Sequence, residues 1–162
     1  ICSAPTFTHP EIVIEAAKTK KDIFCEKPIA LNLNDAEKMV EECEKNNVKF
    51  QIGYGRRFDE EWLKFRELMK SKIIGSPVVW RQILAGGGSA NPWYYDINKG
   101  GGPFIDWAVP SYDFSIYTFG KVKNVESSST KFKNFTSPYT GTVCVEFESG
   151  DIFNHSNLLG IF

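Results

Sequence analysis

The chain has 162 residues, of which 42% are hydrophobic, 14% aromatic and 24% charged, a balance typical of globular proteins and not of disordered or fibrous chains. Its 19 Lys and Arg residues against 20 Asp and Glu residues leave a net charge of -1, so no nucleic-acid partner is indicated. Charges or glycines interrupt every apolar run well before the roughly 20 residues that span a bilayer, so no membrane partner is predicted either.

The first residues have the character of a strand end. Ile1-Cys2-Ser3 is short and mostly apolar, and no initiator Met precedes it, so we expect an N-terminally truncated piece of a longer protein. Thr8 is then predicted to cap a helix with Pro10 at its first position. Apolar residues recur at helical spacing behind that proline.

Residues 22–52 continue the alternation of strands and helices. Residues 22–25 have the length of a strand buried on both faces. Asn34, with Glu37 three positions later, is typical of a capping box at the start of a helix, and residues 48–52 form the next short strand. This order predicts an α/β unit with a parallel sheet.

Beyond Gly53 the pattern is that of an α+β unit. Asp59 is predicted to cap a helix, and residues 78–84 are rich in strand-forming side chains. Apolar residues between 105 and 116 recur at helical spacing. Residues 142–155 alternate polar and apolar side chains around a glycine turn, which predicts an antiparallel hairpin with one solvated face.

The cysteines favour reduced thiols. They are widely spaced and form no C-x-x-C pair that would hold zinc or a redox disulfide: Cys2, Cys25, Cys43 and Cys144. The sequence therefore predicts a cytoplasmic protein without a metal site.

The tripeptide Glu26-Lys27-Pro28 directly follows a predicted buried strand. Ligands of open parallel sheets collect at the carboxyl ends of the strands. A Lys at that place can donate a hydrogen bond to a substrate hydroxyl, and Pro28 can hold a cis peptide bond. The alternative is a solvated pair of charges in a surface loop.

Two glycine-containing segments are further candidates. Gly53-Tyr54-Gly55 follows a strand, and Arg56 behind it can bind oxygen atoms with its forked guanidinium. Gly100-Gly101-Gly102 precedes Asp106 and Asp113, which we expect on neighbouring faces of one helix about two turns apart. A flexible loop followed by an acidic helix start is the alternative interpretation.

Taken in order, these landmarks resemble one family. They are Ala4-Pro5 with His9, Glu26-Lys27-Pro28, the run from Gly53 to Phe58, Ile74-Gly75-Ser76-Pro77, and the triple glycine with Asp106 and Asp113. The chain is similar to the Gfo/Idh/MocA oxidoreductases, the family of glucose-fructose oxidoreductase and inositol dehydrogenase. The resemblance implies hydride transfer between NAD or NADP and a hydroxyl or carbonyl group of a sugar or polyol.

The resemblance also implies a domain division and residue roles. Residues 1–53 would be the C-terminal part of a Rossmann dinucleotide-binding domain, and residues 54–162 part of a substrate and oligomerisation domain with an open, mainly antiparallel sheet and helices on one face. Lys27 is similar to the catalytic lysine of the family and Asp106 to its acidic partner. By the same resemblance, cofactor contacts are expected from Pro5, His9, Glu26, Lys27, Pro28 and Arg56, and substrate contacts from Lys27, Arg56, Trp93, Asp106 and Asp113.

Two departures from the family pattern bear on activity. No G-x-G-x-x-G turn stands in these residues, so this chain alone is expected to bind the dinucleotide weakly and to be inactive. Pro110 occupies the position at which the family usually carries a proton-accepting His, and a proline inside a helix would also destabilise it. A catalytically degenerate binding or scaffolding protein is therefore the alternative function. In either case the half-exposed sheet predicts a homo-oligomer.

Overall fold

The computed structural model describes residues 1–131 and 134–159. Its first part consists of α1 (His9–Lys18), β1 (Ile23–Cys25), α2 (Leu33–Lys45) and β2 (Phe50–Ile52). Strands β1 and β2 run parallel, and Cys2 forms a parallel bridge to Cys25. The predicted parallel α/β arrangement is confirmed.

Small apolar side chains at helical spacing join the two helices to this sheet. Val13 and Ala17 lie on one face of α1, and Met39 and Cys43 on one face of α2, all almost completely buried. Residues four positions apart share a helix face, so each helix presents a narrow apolar stripe to the strands. No helix in the described ranges has the length and apolar character needed to cross a membrane.

The helix starts differ in detail from the sequence prediction. Helix α1 begins at His9, and the Thr8 hydroxyl donates to the carbonyl oxygen of Pro5 instead of capping the helix. Helix α2 begins after Asn32, whose Oδ1 accepts from the Asp35 N–H at 2.9 Å. The predicted cap at Asn34 is wrong because Asn32 is the residue with extended backbone, from which a side chain reaches the third helical N–H.

The second part pairs two helices with a four-stranded sheet. Its elements are α3 (Glu60–Ser71), β3 (Val79–Gly86), α4 (Val109–Phe119), β4 (Val122–Thr130), β5 (Thr140–Phe147) and β6 (Ile152–Leu159). The strand order is β3-β6-β5-β4, with β3 and β6 parallel and the other pairs antiparallel. The predicted hairpin of β5 and β6 is confirmed, and Asp59 caps α3 as predicted.

Strand β4 was not predicted from the sequence. After Val122 every residue of this edge strand is exposed, so neither face of the strand carries a continuous apolar row. Alternation marks a strand only where one face is buried, and this strand is held instead by its backbone pairing with β5.

Aromatic rings fill the space between the helices and one face of the sheet. The ring centroids of Trp80 on β3 and Phe153 on β6 lie 4.4 Å apart. Trp62 of α3 and the fully buried Phe114 of α4 pack against each other with centroids 5.2 Å apart. This core fixes α4, whose N-terminal end faces the first part of the chain.

The structure corrects the position of two residues near the start of α4. Asp106 precedes the helix, in a series of turns where its N–H donates to the Gly102 carbonyl at 2.9 Å. It therefore does not share a helix with Asp113. Pro110 is in the first turn of α4, where no intrahelical N–H bond is lost, so the predicted destabilisation by an interior proline is wrong.

We predict that Pro110→Ala changes the free energy of unfolding of the whole protein by less than about 1 kcal/mol, because a first-turn proline neither breaks a bond nor clashes. Ser115→Pro, five residues later in the same helix, should destabilise it by about 3 kcal/mol or more. Urea unfolding followed by circular dichroism measures both. A loss of stability in Pro110→Ala as large as in Ser115→Pro would contradict the assigned helix start.

Candidate active site

Lys27 and Asp106 meet across the boundary between the two parts. The Nζ atom of Lys27 lies 2.9 Å from Oδ1 of Asp106 and 3.0 Å from its carbonyl oxygen. The two side chains are 27% and 17% exposed, so the pair is partly buried and does not lie on open surface. The structure thus brings these two predicted site residues into contact, and Lys27 does not extend into solvent from a surface loop.

The backbone before Lys27 explains its position. Strand β1 ends at Cys25, and the Glu26 carboxylate accepts a hydrogen bond from the Lys27 N–H at 3.3 Å. The Lys27-Pro28 peptide bond is cis. Gly53, at the end of β2, lies beside this turn, and a Cβ there would come within 3.3 Å of the Glu26 carboxylate.

His9 lies beneath this turn instead of facing the cleft. It is 1% exposed, its Nδ1 is 3.0 Å from the carbonyl oxygen of Pro28, and its Nε2 is 2.9 Å from that of Ala4. The imidazole thus links the chain around Pro5 to the turn that carries Lys27. His9 therefore connects and supports these two loops.

Arg56 and Arg57 follow β2 in a short helical turn and bind different residues of α4. The Nη1 of Arg56 donates to the Ser111 hydroxyl at 2.8 Å, and its guanidinium stacks 4.1 Å from the ring centroid of Trp62. Burial lowers the pKa of Arg56. Arg57 forms two hydrogen bonds to Asp113, at 2.8 and 2.5 Å. These hydrogen bonds are the largest of the effects that raise the pKa of Arg57.

Sequence analysis missed the pairing of Arg57 with Asp113. Two adjacent arginines after a strand gave the only signal, and the turn decides which of them reaches the 9% exposed Asp113 side chain. Asp113 therefore holds α4 to the first part of the chain. Its predicted contact with substrate stays a prediction.

A short helical turn rich in aromatic residues, Pro92–Tyr95, lies near Asp106. Trp93 is half-buried and packs edge-on against Phe7 with ring centroids 6.5 Å apart. Its neighbour Tyr94 is buried, and burial followed by the charge of Asp106 raises the pKa of Tyr94 above its usual range. Tyr94 was not singled out from the sequence, since nothing but its place in an aromatic run distinguished it.

The triple glycine is a packing device. A Cβ at Gly100 would lie 2.6 Å from the Cα of Tyr94. Gly101 and Gly102 have φ values of +72° and +75°, a region that other residues rarely adopt. Larger residues at these positions would clash with Tyr94, Ile105 or Ser137, so close packing accounts for the three glycines.

One cluster of possible metal ligands occurs among the described residues. The ligand atoms of Cys2, His9 and Cys25 all lie within 4.8 Å of one another, and all three residues are buried. Both ring nitrogens of His9 already face carbonyl oxygens. Burial raises the pKa of Cys25 to about 12, which keeps its thiol protonated. These contacts account for the cluster as part of the core.

The fold and the site together define a class of proteins. A parallel Rossmann-type sheet is followed by an open mixed sheet, and a lysine at the end of a parallel strand meets an aspartate of the second part. The sequence model of an oxidoreductase family with an NAD-binding Rossmann fold matches residues 1–54, and that of the GFO/IDH/MocA C-terminal domain matches residues 62–157. The chain belongs to the Gfo/Idh/MocA oxidoreductase family.

Several characterised proteins are similar to this chain. Myo-inositol 2-dehydrogenase of Thermotoga maritima is 40% identical over 121 residues, which cover 75% of this chain and 35% of that protein. The scyllo-inositol 2-dehydrogenase (NAD(+)) of Bacillus subtilis is 30% identical over 156 residues, which cover 93% of this chain and 45% of that protein. A crystal structure of a probable dehydrogenase from Thermotoga maritima superposes with a TM-score of 0.81 at 33% identity, covering 99% of this chain and 50% of that one. The chain thus spans half the length of these relatives or less.

We predict that Arg57 and Asp113 act as one unit in stability. Arg57→Ala and Asp113→Ala should each destabilise the whole protein, and the double variant should lose less than the sum by about 1 kcal/mol, since the second change removes no further contact. The expected coupling energy is small because Arg57 is 39% exposed, so solvent screens its charge. Urea unfolding of the four proteins completes the cycle. Strict additivity would show that the pair does not hold α4.

Proposed function

We propose that the whole protein is an NAD(P)-dependent dehydrogenase that oxidises or reduces a sugar or polyol at one hydroxyl or carbonyl group. The contact of Lys27 Nζ with Asp106 at the end of a parallel strand is the observation that carries this proposal. The similarity to the two inositol dehydrogenases supports the substrate class, and the NAD(+) in the name of the Bacillus relative supports the cofactor.

The residues present fit the nicotinamide end of a dinucleotide. Glu26 directly follows β1 and Gly53 directly follows β2, and Pro5 lies just beyond the bridge of Cys2 to Cys25. All three are therefore at the carboxyl end of the parallel sheet, where ligands of such sheets bind. When bound, the nicotinamide supplies the hydride donor or acceptor. No G-x-G-x-x-G turn occurs in these 162 residues, so we propose that this chain alone binds the dinucleotide weakly and is inactive.

Lys27 and Asp106 have complementary roles in this proposal. An ammonium group has three N–H donors, and two of them bond to the carboxylate and carbonyl oxygens of Asp106. The third can donate a hydrogen bond to the hydroxyl or carbonyl oxygen of the substrate and stabilise negative charge on that oxygen. Asp106 fixes the direction of that donor.

Other residues support the site from outside. We propose that His9 positions the turn of Lys27 and Pro28 through its two carbonyl contacts, and that Arg56 and Trp93 border the space for cofactor and substrate. Asp113 is proposed to act through Arg57. The domain boundary is proposed to follow Gly53, which agrees with the gap between the two family matches after residue 54.

We also propose a cytoplasmic homo-oligomer that associates through the outer face of the sheet. The four cysteines are free. Three apolar side chains on the outer face of β3 and β6 are half exposed or more: Val79 (68%), Ile83 (50%) and Leu158 (53%). A face of this kind is stabilised by a second copy of the chain.

A catalytically degenerate binding protein is the second candidate function. Pro110 is the observation that favours it, because proline cannot accept a proton and a positioned base contributes about a hundred- to ten-thousandfold in rate. The change in NADH or NADPH absorbance with a panel of inositols and hexoses separates the two functions. No change with any of them would favour the binding protein.

Lys27→Ala in the whole protein should lower kcat/KM by at least about a hundredfold, because the donor to the substrate oxygen is lost. Lys27→Arg keeps the charge and should leave binding of NADH within about threefold. Steady-state absorbance assays and NADH fluorescence measure the two quantities. Full activity of Lys27→Ala would remove Lys27 from the mechanism.

Pro110→His should raise turnover with a polyol by at least about tenfold, the low end of the contribution of a general base. The new side chain would extend from the first turn of α4, four residues after Asp106. Pro110→Ala is the matched control and should leave turnover unchanged. High activity with Pro110 that does not change with His would show that the proton acceptor lies elsewhere.

A further inference from the structure

Buried polar atoms without a hydrogen-bond partner gather at one place on the sheet. They are Oε1 of Gln82, both ring nitrogens of His155, and both amide atoms of Asn157. Gln82 and His155 are register partners on β3 and β6, and Asn157 is two residues further along β6 on the same face. His155 and Asn157 are 0% exposed. Elsewhere in the described residues only Tyr94 and Thr118 have such an atom.

This polar patch interrupts an otherwise apolar face. The other end of the same face carries Trp80, Phe153, Val145 and Phe147, which pack against the helices. Natural structures leave few buried polar atoms unpaired, since each weakens the fold. Hydrophobic side chains in the place of Gln82, His155 and Asn157 would pack here without that penalty, so stability alone does not explain these residues.

The patch lies on the side of the candidate active site. Arg56 bonds to Ser111, which stands five residues after Asp106, and the next residue, Tyr112, packs against the ring of His155. Burial lowers the pKa of His155, the neighbouring Asn157 opposes this shift, and Arg56 adds to it. His155 is therefore neutral at neutral pH and offers one donor and one acceptor.

We infer that Gln82, His155 and Asn157 form a subsite that binds neighbouring hydroxyl groups of a neutral polyol or sugar. This inference rests on the proposed function. An amide, a neutral imidazole and a glutamine oxygen together provide donors and acceptors without net charge, and each hydroxyl group both donates and accepts. Such an uncharged set favours hydroxyl groups over phosphate or carboxylate groups. The neighbouring cation, Arg56, is already bonded to Ser111 and stacked on Trp62.

Access to the subsite requires one side chain to move. All five atoms are closed to solvent, and the half-buried ring of Tyr112 packs against His155 with centroids 5.5 Å apart. Tyr112 belongs to the first turns of α4, directly behind Ser111. A polyol enters the subsite only if this ring turns aside.

The test is substrate affinity measured without turnover in the whole protein. Calorimetry with a panel of inositols and hexoses, in the presence of NADH, identifies the compound that the wild type binds most tightly. Asn157→Leu and His155→Leu should each weaken its binding by about tenfold, the value of one good hydrogen bond. They should also raise the Tm by about 2–4 °C, because unpaired polar atoms leave the core.

Thr118→Val is the matched control. Thr118 also has a buried hydroxyl without a partner, but it lies near the C-terminal end of α4, away from Asp106. This change should raise the Tm in the same way and leave the affinity unchanged. Equal loss of affinity in the control would overturn the subsite.

The outcomes also separate this inference from the proposed function. Unchanged affinity in both leucine variants would overturn the subsite, whatever the turnover. A wild type that binds a polyol but never changes NADH absorbance would overturn the dehydrogenase proposal, while weaker binding in the variants would still support the subsite. A wild type that binds no member of the panel would overturn both.

Discussion

The meeting of Lys27 with Asp106 is the constraint on which the rest of the structure depends. The two residues are 79 positions apart and belong to parts of the chain that fold by different rules. Lys27 is delivered by the end of a parallel strand, and Asp106 by turns that precede a helix packed on a mixed sheet. Each part must therefore be placed to within an ångström or so for Nζ to reach both oxygens of Asp106. The polar contacts of Arg56 and Arg57 with α4 maintain that placement.

Much of this arrangement could be predicted from the sequence. The place of Lys27 follows from chain order, because a short buried run before Glu26 puts the next residues at the ligand-binding edge of a parallel sheet. The partner of Arg57 could not be predicted in this way. Arg56 and Arg57 are identical in type and adjacent, and only the turn after β2 directs one to Ser111 and the other to Asp113. Local pattern carries no information about such long-range choices.

Other differences between sequence and structure have the same physical origin. Strand β4 is an edge strand whose side chains face solvent, so it lacks the alternation that marks β5 and β6. The role of Pro110 depends on where α4 begins, and helix starts are uncertain by a residue or two from pattern alone. The triple glycine could be recognised as a motif in the sequence. The reason for it could not, because the close approach of Gly100 to Tyr94 exists only in the folded chain.

Charged and neutral polar groups have different roles at the candidate site. In the ion pairs of Lys27 with Asp106 and of Arg57 with Asp113, each charge is neutralised by its partner. These pairs therefore hold the two parts together without any ligand. His155 and Asn157 on β6 differ from these ion pairs, because their side chains are fully buried and no other residue of the described chain hydrogen-bonds to them. Because the two ion pairs hold the parts of the chain together, the fold tolerates the cost of these buried, unpaired neutral groups. In the proposed dehydrogenase, selectivity for a polyol arises from the neutral patch, while the ion pairs keep Lys27 in position for the reacting oxygen.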